Sequence, residues 1–196
     1  ATVALTGIAA LPYVLRALVR KQLPTATGPH TVGSCVQRDS SGLLVRVFYP
    51  IGACVDAPGS SWLPAPTSVY ITAIGAFLNL PSTIAGWLLA PGLTAVRGSW
   101  VEQAQPGALP AGDDQLPVVC FSHGLGAFQN VYSVLCCELA SRGMIVVVPE
   151  HADRSACATT YPDDDSPIFC ERSSEARMVN PRTGEQDGGF SWRNSQ

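Results

Sequence analysis

The stretch "LPVVCFSHGLGAF", residues 116–128, ends an apolar run on two glycines that flank a leucine. Val118, Val119, Cys120 and Phe121 are consecutive and apolar behind Pro117, the pattern of a strand buried on both faces. Gly124 and Gly126 let the backbone bend sharply and let another group approach it closely. Backbone N–H groups exposed in such a turn are the donors that ester cleavage needs. Attack on a carbonyl creates an oxyanion, and preorganised N–H groups stabilise it. A plain strand-to-helix connection would use the same glycines, so the motif by itself leaves both readings open.

Other residues able to do chemistry gather further on. Glu150, His151, Asp153 and Arg154 follow the next apolar run, and we read them as an ion-pair and hydrogen-bond network that holds a loop. His30, His123 and His151 are scattered, and no His/Cys spacing fits a zinc site, so they read as structural, with no metal or cofactor expected. No G-x-S-x-G occurs in the chain. Ser122 lies at a strand end but lacks that elbow context, so it is not read as a nucleophile. Of the seven cysteines, Cys136 and Cys137 are adjacent on a predicted helix and are not expected to pair with each other. Cys120 and Cys157 fall in or near apolar segments, where the thiol behaves as a small hydrophobe. Reduced thiols in a cytoplasmic protein are the preferred reading, and a secreted disulfide framework is the alternative.

The elements that must position these residues are regular. A strand at 117–121, a helix over 129–142 and a strand at 144–149 form a βαβ unit. Val131, Leu135 and Leu139 make the helix stripe, and Gly143 stands at its C-terminal cap. The unit predicts a parallel sheet buried on both faces, with ligands bound beyond the carboxyl ends of its strands. Residues 31–50 read as a hairpin around "RDSSG", and 51–67 as a loop. The apolar stretch 68–96 predicts two short helices, with Pro81 and Pro91 each ending or kinking one. Residues 102–115 read as an exposed connection, and the sequence after Ser155 as polar and loop-like. The 196 residues divide into an apolar N-terminal segment, 1–27, and one domain, 28–196. In the first segment Ile8, Leu11, Leu15 and Leu18 form a helical stripe, while Gly7, Pro12 and Arg16 weaken a membrane-spanning reading. An interfacial helix, the end of a signal or anchor segment, and a helix packed on the body all remain open. A net charge of -3 argues against nucleic acid as a partner.

Seven stretches carry a resemblance: "GPHTVG" (28–33), "VRVFYP" (45–50), "WLP" (62–64), "FSHGLGAF" (121–128), "YSVLCCELASRG" (132–143), "VPEHADRSA" (148–156) and "RNSQ" (193–196). In this order they resemble the platelet-activating-factor acetylhydrolase family, its intracellular type more than its plasma type. The match is poor over 65–115 and 163–189, and Ala152 stands where the family carries Arg. The resemblance implies an α/β-hydrolase fold, here incomplete, with a Ser-Asp-His triad, no cofactor and no metal. Its implied activity is hydrolysis of short or oxidised sn-2 acyl groups of phospholipids such as platelet-activating factor. It gives Leu125 the oxyanion-hole N–H, with His123, Gly124 and Gly126 supporting the loop. It also implies contact with a membrane or lipoprotein surface through the helical stretch at about 81–93, where Ile84, Trp87, Leu88 and Leu89 are the candidates. Ordinary core packing is the alternative for those four. Chain order in this fold is Ser, Asp, His, so His123 and His151 come too early to be the triad base. The nucleophile and its partners are then expected beyond Gln196, and these residues are expected to be the N-terminal half of an enzyme, inactive alone. Another α/β-hydrolase esterase of polyester or dienelactone type, and a non-catalytic lipid-binding remnant, are the alternatives.

Overall fold

A computed structural model describes residues 10–14, 16–17, 22–52, 59–103, 115–160 and 166–170. The predicted hairpin forms from β1 (Thr31–Arg38) and β2 (Leu44–Ile51) in antiparallel register. Its turn is held by Asp39, whose carboxylate accepts the N–H groups of Ser41 and Leu43 at 2.8 and 2.9 Å. The short strand β3 (Val101–Glu102) lies parallel beside β1. Strands β4 (Val118–Cys120) and β5 (Ile145–Pro149) pair in parallel, as the βαβ pattern requires.

The five-stranded sheet has the order β3-β1-β2-β5-β4 and is mixed, not parallel throughout. β2 inserts antiparallel against β5, with Phe48 opposite Val146. A continuous apolar run looks the same whichever way its neighbour points, so the orientation was not visible locally. The expectation of burial on both faces fails at β4, one of the two edges among the described strands, where Val118 is 65% exposed. Cys120 is exposed as well, contrary to its reading as a buried thiol, whereas Cys157 is buried.

Next, α1 (Thr67–Phe77) and α2 (Ser82–Leu93) are the two predicted short helices. They meet at a bend of 114°, and among the described residues no single helix is long and apolar enough to cross a membrane. Pro81 caps α2, but Pro91 sits inside it and breaks nothing. It falls in the last turn, where the missing N–H removes one helical bond just before the helix ends. α1 packs on a cluster containing Leu63, Tyr70, Ile71, Phe128 and Cys157.

The crossover helix α3 (Ser133–Ser141) is shorter than the predicted 129–142 and buries a different face. Its buried residues are Ser133, Cys136, Cys137, Ala140 and Ser141, while Leu135 is 47% and Val131 39% exposed. Small side chains let this helix settle close to the sheet, against Val32, Phe48, Trp100, Val146 and Val148. The positions before it are diverted into turns, with Val131 N–H on the Phe128 carbonyl and Ser133 N–H on that of Asn130. Gly143, at φ 92°, ends the helix in the left-handed conformation its capping place calls for.

The sequence after Ser155 is not all loop. β6 (Ala158–Thr160) and β7 (Pro167–Phe169) form a separate antiparallel pair, too short to show a period in sequence. At the N-terminus, residues 10–14 and 16–17 are helical and Leu11 is exposed; Ile8, Leu15 and Leu18 lie outside the residues whose side chains are described.

Candidate functional site

Beyond the carboxyl end of β4 the chain turns sharply through Ser122–Ala127. Gly126 has φ 72°, and a Cβ there would collide with the Phe77 ring, so only glycine suits the position. Three backbone hydrogen bonds fix the turn. Ala127 N–H donates to the Gly124 carbonyl (3.0 Å), Gly126 N–H to the Ser155 carbonyl (2.7 Å), and Cys157 N–H to the Ala127 carbonyl (2.7 Å). Leu125 stands at the apex, 82% exposed, and no described residue accepts its N–H.

The turn rests on a buried ion pair. His123 Nε2 lies 2.9 Å from Glu150 Oε1, and both side chains are fully shielded from solvent. The other ring nitrogen, Nδ1, lies 3.2 Å from the Gly124 carbonyl, which can only accept. A carboxylate and a carbonyl on the two nitrogens favour the imidazolium form of His123, which can donate a proton to each. Burial opposes that charge, but the bonds to Glu150 and Gly124 outweigh it and hold His123 above its ordinary value. Burial pushes the Glu150 carboxyl up, against the lowering effect of His123 and of Gln129, whose N–H reaches Oε2 at 3.0 Å.

A second imidazole lies on the first. The His151 ring stacks on His123 with centroids 4.0 Å apart. Burial, and then the charge of His123, hold His151 below its ordinary value while Asp153 pulls the other way, so it is neutral near pH 7. Its Nε2 lies 2.9 Å from the exposed Ser122 hydroxyl and its Nδ1 2.9 Å from that of Ser155. Asp153 in turn accepts the Ser155 N–H at 2.9 Å.

Sequence reasoning set Ser122 aside and did not single out Ser155. The signal for both was the pairing of β4 with β5, which brings the residues after each strand side by side. A serine on a neutral imidazole resembles a nucleophile–base pair, but the orienting group is a hydroxyl rather than a carboxylate. The neighbouring cation also opposes the imidazolium that proton transfer would create. The arrangement therefore suits holding a loop better than activating Ser122.

The four lipid-contact candidates divide. Ile84 and Trp87 are 46% and 44% exposed on α2, and Leu78 at the bend is 56% exposed. Leu88 is partly buried, and Leu89 packs against the cluster beneath α1. Among the described residues no group of three His, Cys, Asp or Glu side chains is placed to hold a metal ion.

A mixed sheet with a crossover helix and a glycine turn at the carboxyl end of a strand is the framework of an α/β-hydrolase. A ferulic acid esterase from Streptomyces cinnamoneus shares this fold, with a TM-score of 0.52 and 20% identity over 81% of this chain and 43% of that one. The sequence profile described as platelet-activating factor acetylhydrolase, isoform II matches residues 16–196, and the chain belongs to that family. It is 30% identical over 180 residues to the platelet-activating factor acetylhydrolase of Bos taurus, covering 90% of this chain and 38% of the relative. The enzyme of that name from Gallus gallus is 30% identical over 165 residues, 83% of this chain and 36% of the relative. A putative phospholipase A2 of Schizosaccharomyces pombe is 32% identical over 163 residues, 74% of this chain and 36% of the relative. The chain thus spans little more than a third of the length of these relatives.

Proposed function

We propose that the chain supplies the oxyanion-stabilising half of a phospholipid esterase. The reaction is hydrolysis of an acetyl, short or oxidised acyl group from the sn-2 position of platelet-activating factor and related phospholipids. The observation that carries this reading is the Leu125 N–H, unaccepted by any described residue and held at the apex of a turn at the carboxyl end of a core strand. A serine adds to the sn-2 carbonyl, and the charge that develops on oxygen meets the Leu125 N–H in a fixed position. Gly126 and Gly124 bring backbone rather than side chain to the substrate. With no G-x-S-x-G in residues 1–196, this reading takes the serine from outside them.

Two samples test it. A full-length protein carrying this segment should hydrolyse a short-acyl sn-2 phospholipid and lose that activity to a fluorophosphonate. Residues 1–196 alone should neither cleave a short-chain nitrophenyl ester above a heat-killed control nor take up the fluorophosphonate, since the triad contributes several orders of magnitude. Fluorophosphonate-sensitive turnover by residues 1–196 would place the nucleophile among them and overturn the assignment.

The same reading puts Ile84 and Trp87 against lipid. Each exposes about half its surface, so changing both to Ser should weaken pelleting with phospholipid vesicles on the order of tenfold, with little loss of stability. Leu89→Ser, by contrast, should cost stability, because Leu89 packs on the core. Unchanged pelleting by the Ile84/Trp87 variant would remove the lipid contact.

A further inference from the structure

We infer that Cys157 and Cys170 form a dithiol site that a small disulfide, such as oxidised glutathione, converts to a Cys157–Cys170 disulfide. The site stands apart from the esterase reading and rests on the β6–β7 register. Ala158 faces Phe169, Thr159 faces Ile168 and Thr160 faces Pro167, so the next pair outward is Cys157 with Cys170. The Cys170 N–H donates to the Cys157 carbonyl at 3.2 Å, which confirms that the pairing extends this far. Residues opposite one another in an antiparallel pair have Cα atoms about 4.5–5.5 Å apart and side chains on one face. A disulfide spans about 4.4–6.8 Å between Cα atoms, so opposed positions in such a pair fall within its reach. A common cavity agrees with the shared face. Both cysteines line one cavity of about 300 Å³, between the β6–β7 pair and the Ala73–Phe77 side of α1.

The two sulfurs have different surroundings. Cys157 is 2% exposed, and burial, with Cys170 nearby, pushes its thiol up to about 11. Cys170 is only partly buried, with its Sγ 4.0 Å from the Ser155 carbonyl. The more exposed Cys170 is therefore reached first: its thiol loses a proton to solvent and its sulfur attacks, forming a mixed disulfide with one half of glutathione disulfide and releasing the other half as thiolate. Cys157 then yields its proton to solvent and attacks the Cys170 sulfur, releasing the second glutathione. Two protein thiols are oxidised and one small disulfide is reduced to two thiols. Elsewhere among the described residues, Cys35, Cys136 and Cys137 are buried in other parts of the core and Cys120 lies on the edge strand β4. The location matters because the Ser155 carbonyl and the Cys157 N–H make two of the three bonds that fix the Leu125 turn.

The sequence makes the test direct, because the tryptic segment between Arg154 and Arg172 holds these two cysteines and no others. The chain is equilibrated with excess oxidised glutathione, trapped with N-ethylmaleimide and digested, and the segment is weighed. We expect a segment two hydrogens lighter than the dithiol, carrying neither maleimide nor glutathione, and its return to a doubly maleimide-labelled form after excess reduced glutathione. Cys120→Ser should leave this result unchanged, and Cys170→Ser should abolish it. A segment that carries glutathione or maleimide throughout, or whose oxidation needs Cys120, would overturn the site.

Discussion

Glu150→Ala is expected to lower the stability of the fold by about 3–5 kcal/mol, the usual loss when one member of a buried charge pair is removed. Two donors lose their acceptor at once, His123 Nε2–H and the Gln129 N–H, and neither can reach water. Glu150→Gln should be milder, since its amide offers one acceptor oxygen but turns an NH2 toward the second donor. An unsatisfied buried donor costs about 1–3 kcal/mol. The pH dependence separates the two effects. The folded value of His123 lies above its unfolded value of 6.5, so its contribution is fully present below 6.5 and is lost as pH rises through the higher folded value. Removing the carboxylate leaves burial as the dominant influence on His123, which lowers its value. In Glu150→Gln the same histidine should then cost stability as pH falls below 6.5. His151, already depressed in the parent, works in that direction in both proteins. Thermal unfolding between pH 5 and 9 checks this. Equal melting temperatures and equal slopes for parent and variant would mean that the His123–Glu150 pair does not anchor the turn.

Some of this was legible in sequence because the signals are local. "RDSSG" specifies the hairpin turn through the Asp39 side chain. The runs around Val119 and Val147 can only be strands once a helix of α3's length separates them. The helix face misled for a physical reason. Leu135 is the most apolar choice for a core position, yet the close approach of α3 to the sheet favours Cys136, Cys137 and Ala140. The antiparallel insertion of β2 beside β5 depends on contacts a hundred residues apart and leaves no local trace. At the site, the glycine turn was legible because glycine reports backbone conformation. The partners of His123 and His151 were not, because Glu150, Ser122 and Ser155 meet them only when β4 lies against β5. Ile84 and Leu89, close together on one helix and equally apolar, separate only through what α2 packs against.

In the proposed reaction the Leu125 N–H, and not its side chain, meets the developing charge. Its side chain points into solvent, so Leu125→Ala should leave turnover within a few-fold of the parent. Leu125→Pro would remove the donor but would also restrain Gly124 and distort the turn. An amide-to-ester replacement at Leu125 deletes the N–H alone, in a full-length protein that carries this segment together with its nucleophile. Loss of one oxyanion donor lowers kcat by roughly a hundred- to a thousandfold, about 2.7–4 kcal/mol. The loss should fall on kcat with KM nearly unchanged, because the donor meets charge that exists only in the transition state. That loss is the expected result for the ester variant on a short-acyl sn-2 phospholipid. Parental kcat in that variant would contradict it and leave the glycine turn as a connector between β4 and α3.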